Sequence, residues 1–202
     1  DTLHNALLDF NIRQSSPNPS EALGTVNMSL LELSRIYNTF ASEGLYVKPA
    51  LISHITSGSD VVYKREVQPK RLLQRDETLI LNQMLTSTFD IRNKTYTFPS
   101  MYGHEPDVKV AAKSGTSDWD SLVMGFNPEY TVGIWSGFDD NRALEKQYYT
   151  ISKDIFKDTL NGLYKNRKGV WYQPSDAIVE KRVDPISGTE DSNGSLYWFK
   201  KD

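Results

Sequence analysis

The stretch from Val110 to Asn141, VAAKSGTSDWDSLVMGFNPEYTVGIWSGFDDN, contains three β-prone runs joined by two short turns. The runs predict strands over Val108–Ser117, Ser121–Phe126 and Tyr130–Phe138. Connections this short join neighbouring strands, so the three should form an antiparallel meander. Glycines inside the last two runs indicate a close approach by another backbone or a helix: Gly125, Gly133 and Gly137.

A helix is predicted from Met28 to Gly44, well before this meander. Ser29 and Glu32 have the spacing of a capping box at its start, and Gly44 is a typical residue to end it. Its apolar stripe for core packing consists of Leu33, Ile36, Tyr37 and Phe40. Turn residues over Ser57–Asp60, between alternating apolar positions, predict a β-hairpin after this helix.

Two more helices are predicted, from about Asp76 to Thr88 and from Ile151 to Lys165, the latter capped by Ser152. The inward face of the first is predicted to be Leu81, Met84, Leu85 and Thr88, and that of the second Phe156, Thr159, Leu160 and Leu163. A long polar loop from Asp90 to Asp107 separates the first of them from the strands, and loops of that length often border a site. Helices packed on an antiparallel sheet make this an α+β fold.

Composition excludes several classes of function. The 202 residues carry a net charge of -3, which argues against a nucleic-acid partner because phosphate binding needs clustered Lys and Arg. There is no cysteine, so disulfides, Cys-based zinc sites and a thiol nucleophile are excluded. The three histidines lie far apart without ligand spacing, so no metal site is expected: His4, His54 and His104.

The four residues KSGT, Lys113 to Thr116, have chemistry suited to a peptide-binding strand. A strand at the margin of a site can pair its backbone with an extended peptide. Ser114 and Thr116 are two apart, so both hydroxyls can lie on one face and hold a carboxylate. Lys113 adds an attracting charge that can assist proton transfer, Gly115 permits close approach, and the Thr116 N–H can form one arm of an oxyanion hole.

The tripeptide itself has low specificity, because Lys, then Ser or Thr, then Gly occurs by composition in roughly one chain of this length in ten. A surface strand with an exposed lysine and a glycine bend would show the same letters. The context adds specificity, since the motif lies inside a predicted strand and two further strands follow it, the last ending in GIWSGFDD.

Three ordered blocks resemble the C-terminal part of the transpeptidase domain of class A penicillin-binding proteins. They are ALGTVNMSLLELSRIYNTFASEGLYVKP, the stretch from Val110 to Asn141, and PSDAIVEKRVDPISGTEDS. The first is similar to a family helix, the second to the K-T-G strand with its two following strands, and the third to the family's tail. The resemblance implies a partial penicillin-binding or serine β-lactamase-like fold, with residues 1–165 in the transpeptidase domain and 166–202 as a C-terminal tail.

The resemblance also implies roles for the motif. Lys113 and Thr116 would be catalytic, with the Thr116 N–H completing the oxyanion hole and its hydroxyl contacting a substrate or β-lactam carboxylate. The substrate-binding set would be Lys113, Ser114, Gly115, Thr116 and Trp119, the last placed near the mouth of the site by a turn that is shorter than usual. Ala112 and Leu122 depart from the family's preferred Gly and Trp, which leaves substrate details open.

The family acylates a serine in S-x-x-K and uses a second motif, S-x-N. No serine in this sequence has a lysine three residues later. Ser16–Asn18 reads S-x-N, but it lies in the wrong part of the family pattern and Pro17 favours a turn. We therefore expect the chain to be a piece of a larger protein that begins after both serine motifs, inactive alone. Its last meander strand would then present an unpaired edge, which could pair with another copy of the chain.

The intact protein is expected to cross-link peptidoglycan stem peptides through an acyl-serine, to bind β-lactams, and to use no cofactor. The resemblance places it on the outer face of the bacterial cytoplasmic membrane, through an anchor outside this sequence, and class A members carry a glycosyltransferase domain upstream. A non-catalytic peptide-binding or scaffolding module at the cell surface is the alternative. A serine hydrolase with a histidine triad is disfavoured by the scattered histidines.

Overall fold

A computed structural model describes residues 2–12, 19–95 and 97–201 of the chain. The helices are α1 (Thr2–Asp9), α2 (Leu30–Ala41), α3 (Arg75–Leu85) and α4 (Ile151–Tyr164). The strands are β1 (Leu45–Tyr46), β2 (His54–Ser57), β3 (Asp60–Lys64), β4 (Lys70–Arg71), β5 (Ala111–Thr116), β6 (Asp120–Phe126), β7 (Thr131–Gly137), β8 (Ile178–Val183) and β9 (Ser195–Lys200). The predicted S-x-N look-alike at Ser16–Asn18 lies outside the described residues.

The central sheet has the order β5-β6-β7 and is antiparallel throughout, which confirms the predicted meander. In its register Thr116 lies opposite Ser121, and Ser121 lies opposite Ser136. Strands β5 and β7 are shorter than predicted at both ends, whereas β6 begins one residue earlier than predicted, at Asp120. With helices against both faces, the α+β prediction holds.

Helix α4 covers one face of the sheet. Its Phe156 and Leu160 are fully buried against Ala112 and Val123. Gly125 makes this approach possible, because a Cβ at that position would lie 2.3 Å from Phe156 Cζ and 2.9 Å from the backbone oxygen of Ala111. The glycine inside β6 therefore marks the close contact of a helix, as the sequence predicts.

The other face of the sheet is covered by α2 and α3. Ala111 and Phe126 from the sheet pack there with Leu79 of α3 and with the partly buried Tyr37 and Phe40 of α2. The predicted capping box of α2 is present, since Ser29 and Glu32 each bond the other's backbone N–H. Gly44 follows this helix with a φ of +87°, and a Cβ there would meet the Leu73 carbonyl.

The predicted inward faces of α3 and α4 are partly wrong. In α3 the buried residues are Thr78, Leu79, Asn82 and Gln83, whereas Met84 is 50% exposed. In α4 Leu163 is 40% exposed and Tyr164 is buried in its place. Ser152 is not the cap: Thr150 is the N-cap residue, and Ser152 is buried inside the first turn. Polar side chains with distant partners account for these differences.

Contacts to α4 hold the loop before β5 in place. His104 Nδ1 lies 2.9 Å from Asp154 Oδ1, and the Asp107 N–H donates to Asn161 Oδ1 at 2.8 Å. Met101 in the same loop is fully buried in the core under α4. This loop therefore lies along α4, next to the start of β5.

Strands β8 and β9 form a hairpin in the segment that the sequence separates as a tail. Its inner face buries Ile178 and Trp198 against α3, beside Tyr172. Strands β2 and β3 form the predicted hairpin with Gly58 at a φ of +61°, and all of its residues are exposed. None of the helices in residues 2–12, 19–95 and 97–201 is long and apolar enough to cross a membrane.

Candidate functional site

Strand β5 carries KSGT at an open edge of the sheet. It pairs only with β6 among the described strands, so every second residue turns its backbone N–H and C=O away from the sheet. Ala112 and Ser114 belong to this outward row, since their carbonyls accept bonds from Thr88 Oγ1 and Lys113 Nζ respectively. Thr116, two residues further on, has the same orientation.

Thr116 is the part of this outward row that neighbouring groups leave accessible. Thr88 covers the edge at Ala112 and Lys113 covers it at Ser114. The Thr116 side chain is exposed, and a Cβ built on Gly115 would meet nothing within 4 Å. The open edge thus has space for the backbone of an extended ligand beside Gly115 and Thr116.

The hydroxyls of the motif differ in exposure. Strand alternation places Ser114 and Thr116 on the same face of the sheet, as the sequence predicts. Ala112 lies on this face too, and because Ala112 packs against α4, it is the face that α4 covers. Ser114 is buried, however, while Thr116 is exposed. Lys113 is exposed and belongs to the other face of the strand. Thr116 therefore offers the accessible hydroxyl.

A tight turn follows Thr116. Ser117 Oγ donates to Asp120 Oδ1 at 2.5 Å and accepts from the backbone N–H groups of Trp119 and Asp120, both at 3.1 Å. Trp135 Nε1 donates to the second oxygen of Asp120 at 3.2 Å, and Leu144 N–H donates to the Asp118 carbonyl at 2.8 Å. These bonds fix the backbone while the Trp119 side chain remains 51% exposed.

Lys153 in the first turn of α4 adds a second positive charge near the motif. Its pKa is lowered by burial and, to a lesser extent, by the charge of Lys113. Lys153 is absent from the predicted site, because nothing local in the sequence links position 153 to position 113. Alternation of polar and apolar residues along α4 gives no sign of it either.

Ser121 and Ser152 are also absent from the predicted site. Ser121 Oγ lies 2.6 Å from Ser152 Oγ and donates to the Tyr149 carbonyl at 2.9 Å, and both side chains are fully buried. Since Ser121 lies opposite Thr116, these contacts are directly behind the accessible end of the motif. A serine directly before the apolar run of β6 is the one sequence signal that could have indicated them.

A family model for the penicillin binding protein transpeptidase domain matches residues 8–150, which include the whole of β5, β6 and β7. The chain belongs to this family. The matched residues include the β5 edge, and its assignment as the K-T/S-G strand of a transpeptidase domain stays a prediction from the three sequence blocks.

Two curated relatives illustrate the range of the transpeptidase family. Penicillin-binding protein 2D of Bacillus subtilis is 30% identical over 182 residues, which cover 87% of this chain and 26% of that protein. Penicillin-binding protein 1A of Aquifex aeolicus is 32% identical over 133 residues, covering 64% of this chain and 18% of that protein. The chain therefore spans about a quarter or less of these relatives.

Solved structures give the same transpeptidase fold. Penicillin-binding protein 1A from Haemophilus influenzae superposes with a TM-score of 0.77 at 17% identity, over 96% of this chain and 35% of that one. The PonA1 protein from Mycobacterium tuberculosis, solved in complex with penicillin V, gives 0.65 at 18% identity, over 81% and 46% of the two chains. The partial penicillin-binding fold predicted from sequence is confirmed.

Two other kinds of site can be compared with the β5 edge in the described part of the chain. Within the described ranges, no three His, Cys, Asp or Glu side chains come close enough to hold a metal ion. A shallow depression of about 480 Å³ lies on the β8–β9 hairpin, and its lining includes Lys181, Glu190 and Phe199 but no residue of the KSGT motif. The β5 edge is therefore the candidate site for transpeptidase chemistry in the described part of the chain.

Proposed function

We propose that this chain provides the substrate-facing part of a peptidoglycan D,D-transpeptidase site. The substrate is a stem peptide ending in D-alanine, and a β-lactam occupies the same place. The observation that carries the proposal is the open β5 edge, where Thr116 turns its peptide N–H outward between an exposed lysine and a rigid turn. The family membership and the penicillin V complex of PonA1 support it.

The reaction proceeds by acyl transfer. A serine hydroxyl supplied by the rest of the polypeptide attacks the penultimate D-alanine carbonyl, and its proton passes to the departing D-alanine amine as the C–N bond breaks. An amine of a second stem peptide then attacks the acyl-serine, forms the cross-link and releases the serine. The negative oxygen formed in both steps binds the Thr116 N–H.

The other motif residues hold the substrate for this chemistry. Lys113 attracts the terminal carboxylate and assists proton transfer, and the Thr116 hydroxyl, the accessible one of the motif, bonds that carboxylate. Gly115 lets the peptide backbone approach the strand closely, since no neighbour occupies that space. Trp119 packs its exposed ring against the substrate beyond the turn.

The test uses the polypeptide that carries this chain together with its upstream S-x-x-K serine, treated with fluorescent penicillin. Thr116→Pro removes the proposed oxyanion donor without breaking a bond to β6, and proline is tolerated at outward edge positions. Acylation should fall by about 10²–10³-fold. Thr116→Ala keeps the N–H and is the matched control, with a smaller loss. Equal rates for Thr116→Pro and the unchanged polypeptide would contradict the proposal.

The 202-residue chain alone is proposed to be inactive, because no serine in it has a lysine three residues later. Its mass should not change with fluorescent penicillin, and a covalent shift would overturn this part. If the upstream gene sequence lacks S-x-x-K followed by S-x-N, the alternative of a non-catalytic module that grips a peptide carboxylate replaces the enzyme. The parent is proposed to act at the outer face of the cytoplasmic membrane, which cell fractionation can test.

Strand β7 supports a further proposal about the isolated chain. Among the described strands it pairs only with β6, so Gly133 and Trp135 turn their peptide groups away from the sheet. We propose that earlier strands of the complete domain cover this edge and that the isolated chain pairs with a second copy there. Sedimentation should show that the isolated chain is a dimer and that the complete domain does not dimerise through this edge.

A further inference from the structure

The two buried serines behind the motif form an ordered chain of hydrogen bonds. A serine has one hydroxyl hydrogen, and that of Ser121 goes to the Tyr149 carbonyl at 2.9 Å. The 2.6 Å contact is therefore donated by Ser152 to Ser121. This connects the first turn of α4, and Tyr149 two residues before it, to one point of β6.

That point lies directly opposite Thr116. The pairs on either side, Gly115 with Leu122 and Ser117 with Asp120, exchange backbone bonds, as the Ser117 N–H to Asp120 carbonyl bond shows. Thr116 and Ser121 are consequently a pair without backbone bonds between them. Since β5 is an edge strand, the position of Thr116 depends on how firmly its neighbours, including Ser121, are held.

Stability alone does not require a bond between two hydroxyls in this place. Replacing both partners of a buried hydrogen bond by apolar groups of similar shape is nearly neutral. Two alanines would pack against each other at carbon contacts of about 3.5–4.0 Å without a preferred direction. The hydroxyl pair instead fixes one distance and one orientation between α4 and β6, which is the property that a reaction site needs.

We propose that Ser121 and Ser152 are positioning residues, which aim the Thr116 N–H at the acyl oxygen by tying the start of α4 to β6. The inference rests on the proposed transpeptidase function. The same tie sets where Lys153 lies, and Lys153 is close enough for the charge of Lys113 to help lower its pKa. Loosening the contact would shift both the oxyanion donor and the cationic side of the site.

The experiment measures acylation of the complete polypeptide by penicillin in stopped flow, separating the dissociation constant of the first complex from the acylation rate constant. Ser152→Ala and Ser121→Ala should each lower the rate constant about tenfold to a hundredfold, because a donor displaced by about 1 Å loses up to about 10²-fold. The dissociation constant should stay within twofold, since the carboxylate contacts remain.

A double-mutant cycle and a control exclude a general packing effect. The double alanine variant should be no slower than the slower single variant, because the two hydroxyls act through one contact. Ser136→Ala removes a hydroxyl opposite Ser121 on the other side, which has no such contact, and should change the rate less than twofold. Ser152→Thr, which keeps the hydroxyl, should recover most of the rate.

All rates are compared at a temperature where circular dichroism shows each variant folded. If the unchanged polypeptide does not react with penicillin, the proposed function fails before any variant is measured. If it reacts and folded Ser121→Ala and Ser152→Ala react within twofold of it, only the positioning role is overturned. If Ser152→Ala does not fold, Ser121→Ala decides by the same rate criterion.

Discussion

Gly125→Ala should destabilise the fold strongly, because the close contact of α4 with β6 leaves no room for a methyl group. The added Cβ would lie 2.3 Å and 2.6 Å from two ring carbons of Phe156, and 2.9 Å from the Ala111 carbonyl oxygen. Favourable carbon contacts need about 3.5–4.0 Å. Phe156 is fully buried, so its ring cannot move aside without disturbing the core.

Overpacking of this kind costs about 1–3 kcal/mol, and the additional contact with a backbone oxygen places Gly125→Ala near 3 kcal/mol. Phe156→Leu alone should cost about 1–2 kcal/mol as a large-to-small change. The double variant should lose at least about 1 kcal/mol less stability than the sum of the two single losses, because the smaller leucine side chain in place of Phe156 makes room for the methyl group. The Ala111 contact prevents full recovery.

Urea unfolding followed by tryptophan fluorescence gives these free energies. Gly115→Ala is the matched control: it lies in the neighbouring strand with no atom near its Cβ, so its free energy of unfolding should change by less than about 0.5 kcal/mol. Equal stabilities for Gly125→Ala and Gly115→Ala would refute the reasoning, as would strict additivity of Gly125→Ala and Phe156→Leu.

Three further predictions concern other contacts. A hydrogen bond from Tyr164 and then the charge of Arg167 hold the pKa of Glu129 below its usual 4.5, so the unfolded chain binds this proton more tightly and the stability that Glu129 contributes is lost as pH falls below about 4.5. Glu129→Gln should therefore lower the melting temperature at pH 7, and the melting temperatures of the variant and the unchanged chain should converge at pH 3. A difference in melting temperature that stays constant with pH would contradict this. Gly162→Ala, in open space within α4, should raise the free energy of unfolding by about 0.5–1 kcal/mol, measured in urea, and a decrease would disprove the assignment. Trp198→Ala should lower the free energy of unfolding by about 3–5 kcal/mol because the indole packs against α3. Val62→Lys on the exposed β2–β3 hairpin is the control and should change it by less than about 0.5 kcal/mol. Similar effects of the two substitutions in thermal unfolding would show that residues 166–202 do not stabilise the fold.

Local patterns were sufficient to predict the elements that position the motif. The capping box at Ser29 and the short turns of the meander depend on residues at most a few positions apart, and both occur as predicted. Gly125 was also predicted correctly as a point of close approach, because a glycine inside a strand often lies where another segment comes too near for a side chain.

Contacts between distant residues could not be predicted in the same way. Asn82 is buried in α3 because its Nδ2 donates to the Phe40 carbonyl, 42 positions earlier, and this displaces Met84 to the surface. Ser152 was predicted as a helix cap from its neighbours, but its partner Ser121 lies 31 positions away in β6. Hydrophobic periodicity places polar residues outward and has no information about such partners.

In the KSGT motif, too, local features were predictable from the sequence and contacts with distant residues were not. Its letters and neighbouring strands predict the β5 edge and the face shared by Ser114 and Thr116, but not their different burial. Lys153 and the serine pair join the site only through the packing of α4 on the sheet. Family membership, which the family model shows for residues 8–150, was predictable because three ordered blocks carry it.

The most direct measurement is a crystal structure of the complete polypeptide after reaction with penicillin. We expect the acyl carbonyl oxygen about 2.7–3.1 Å from the Thr116 nitrogen, with the drug carboxylate bonded to the Thr116 hydroxyl and the peptide side of the drug along the β5 edge. A penicillin bound away from β5, or an acyl oxygen with no contact to Thr116, would contradict it.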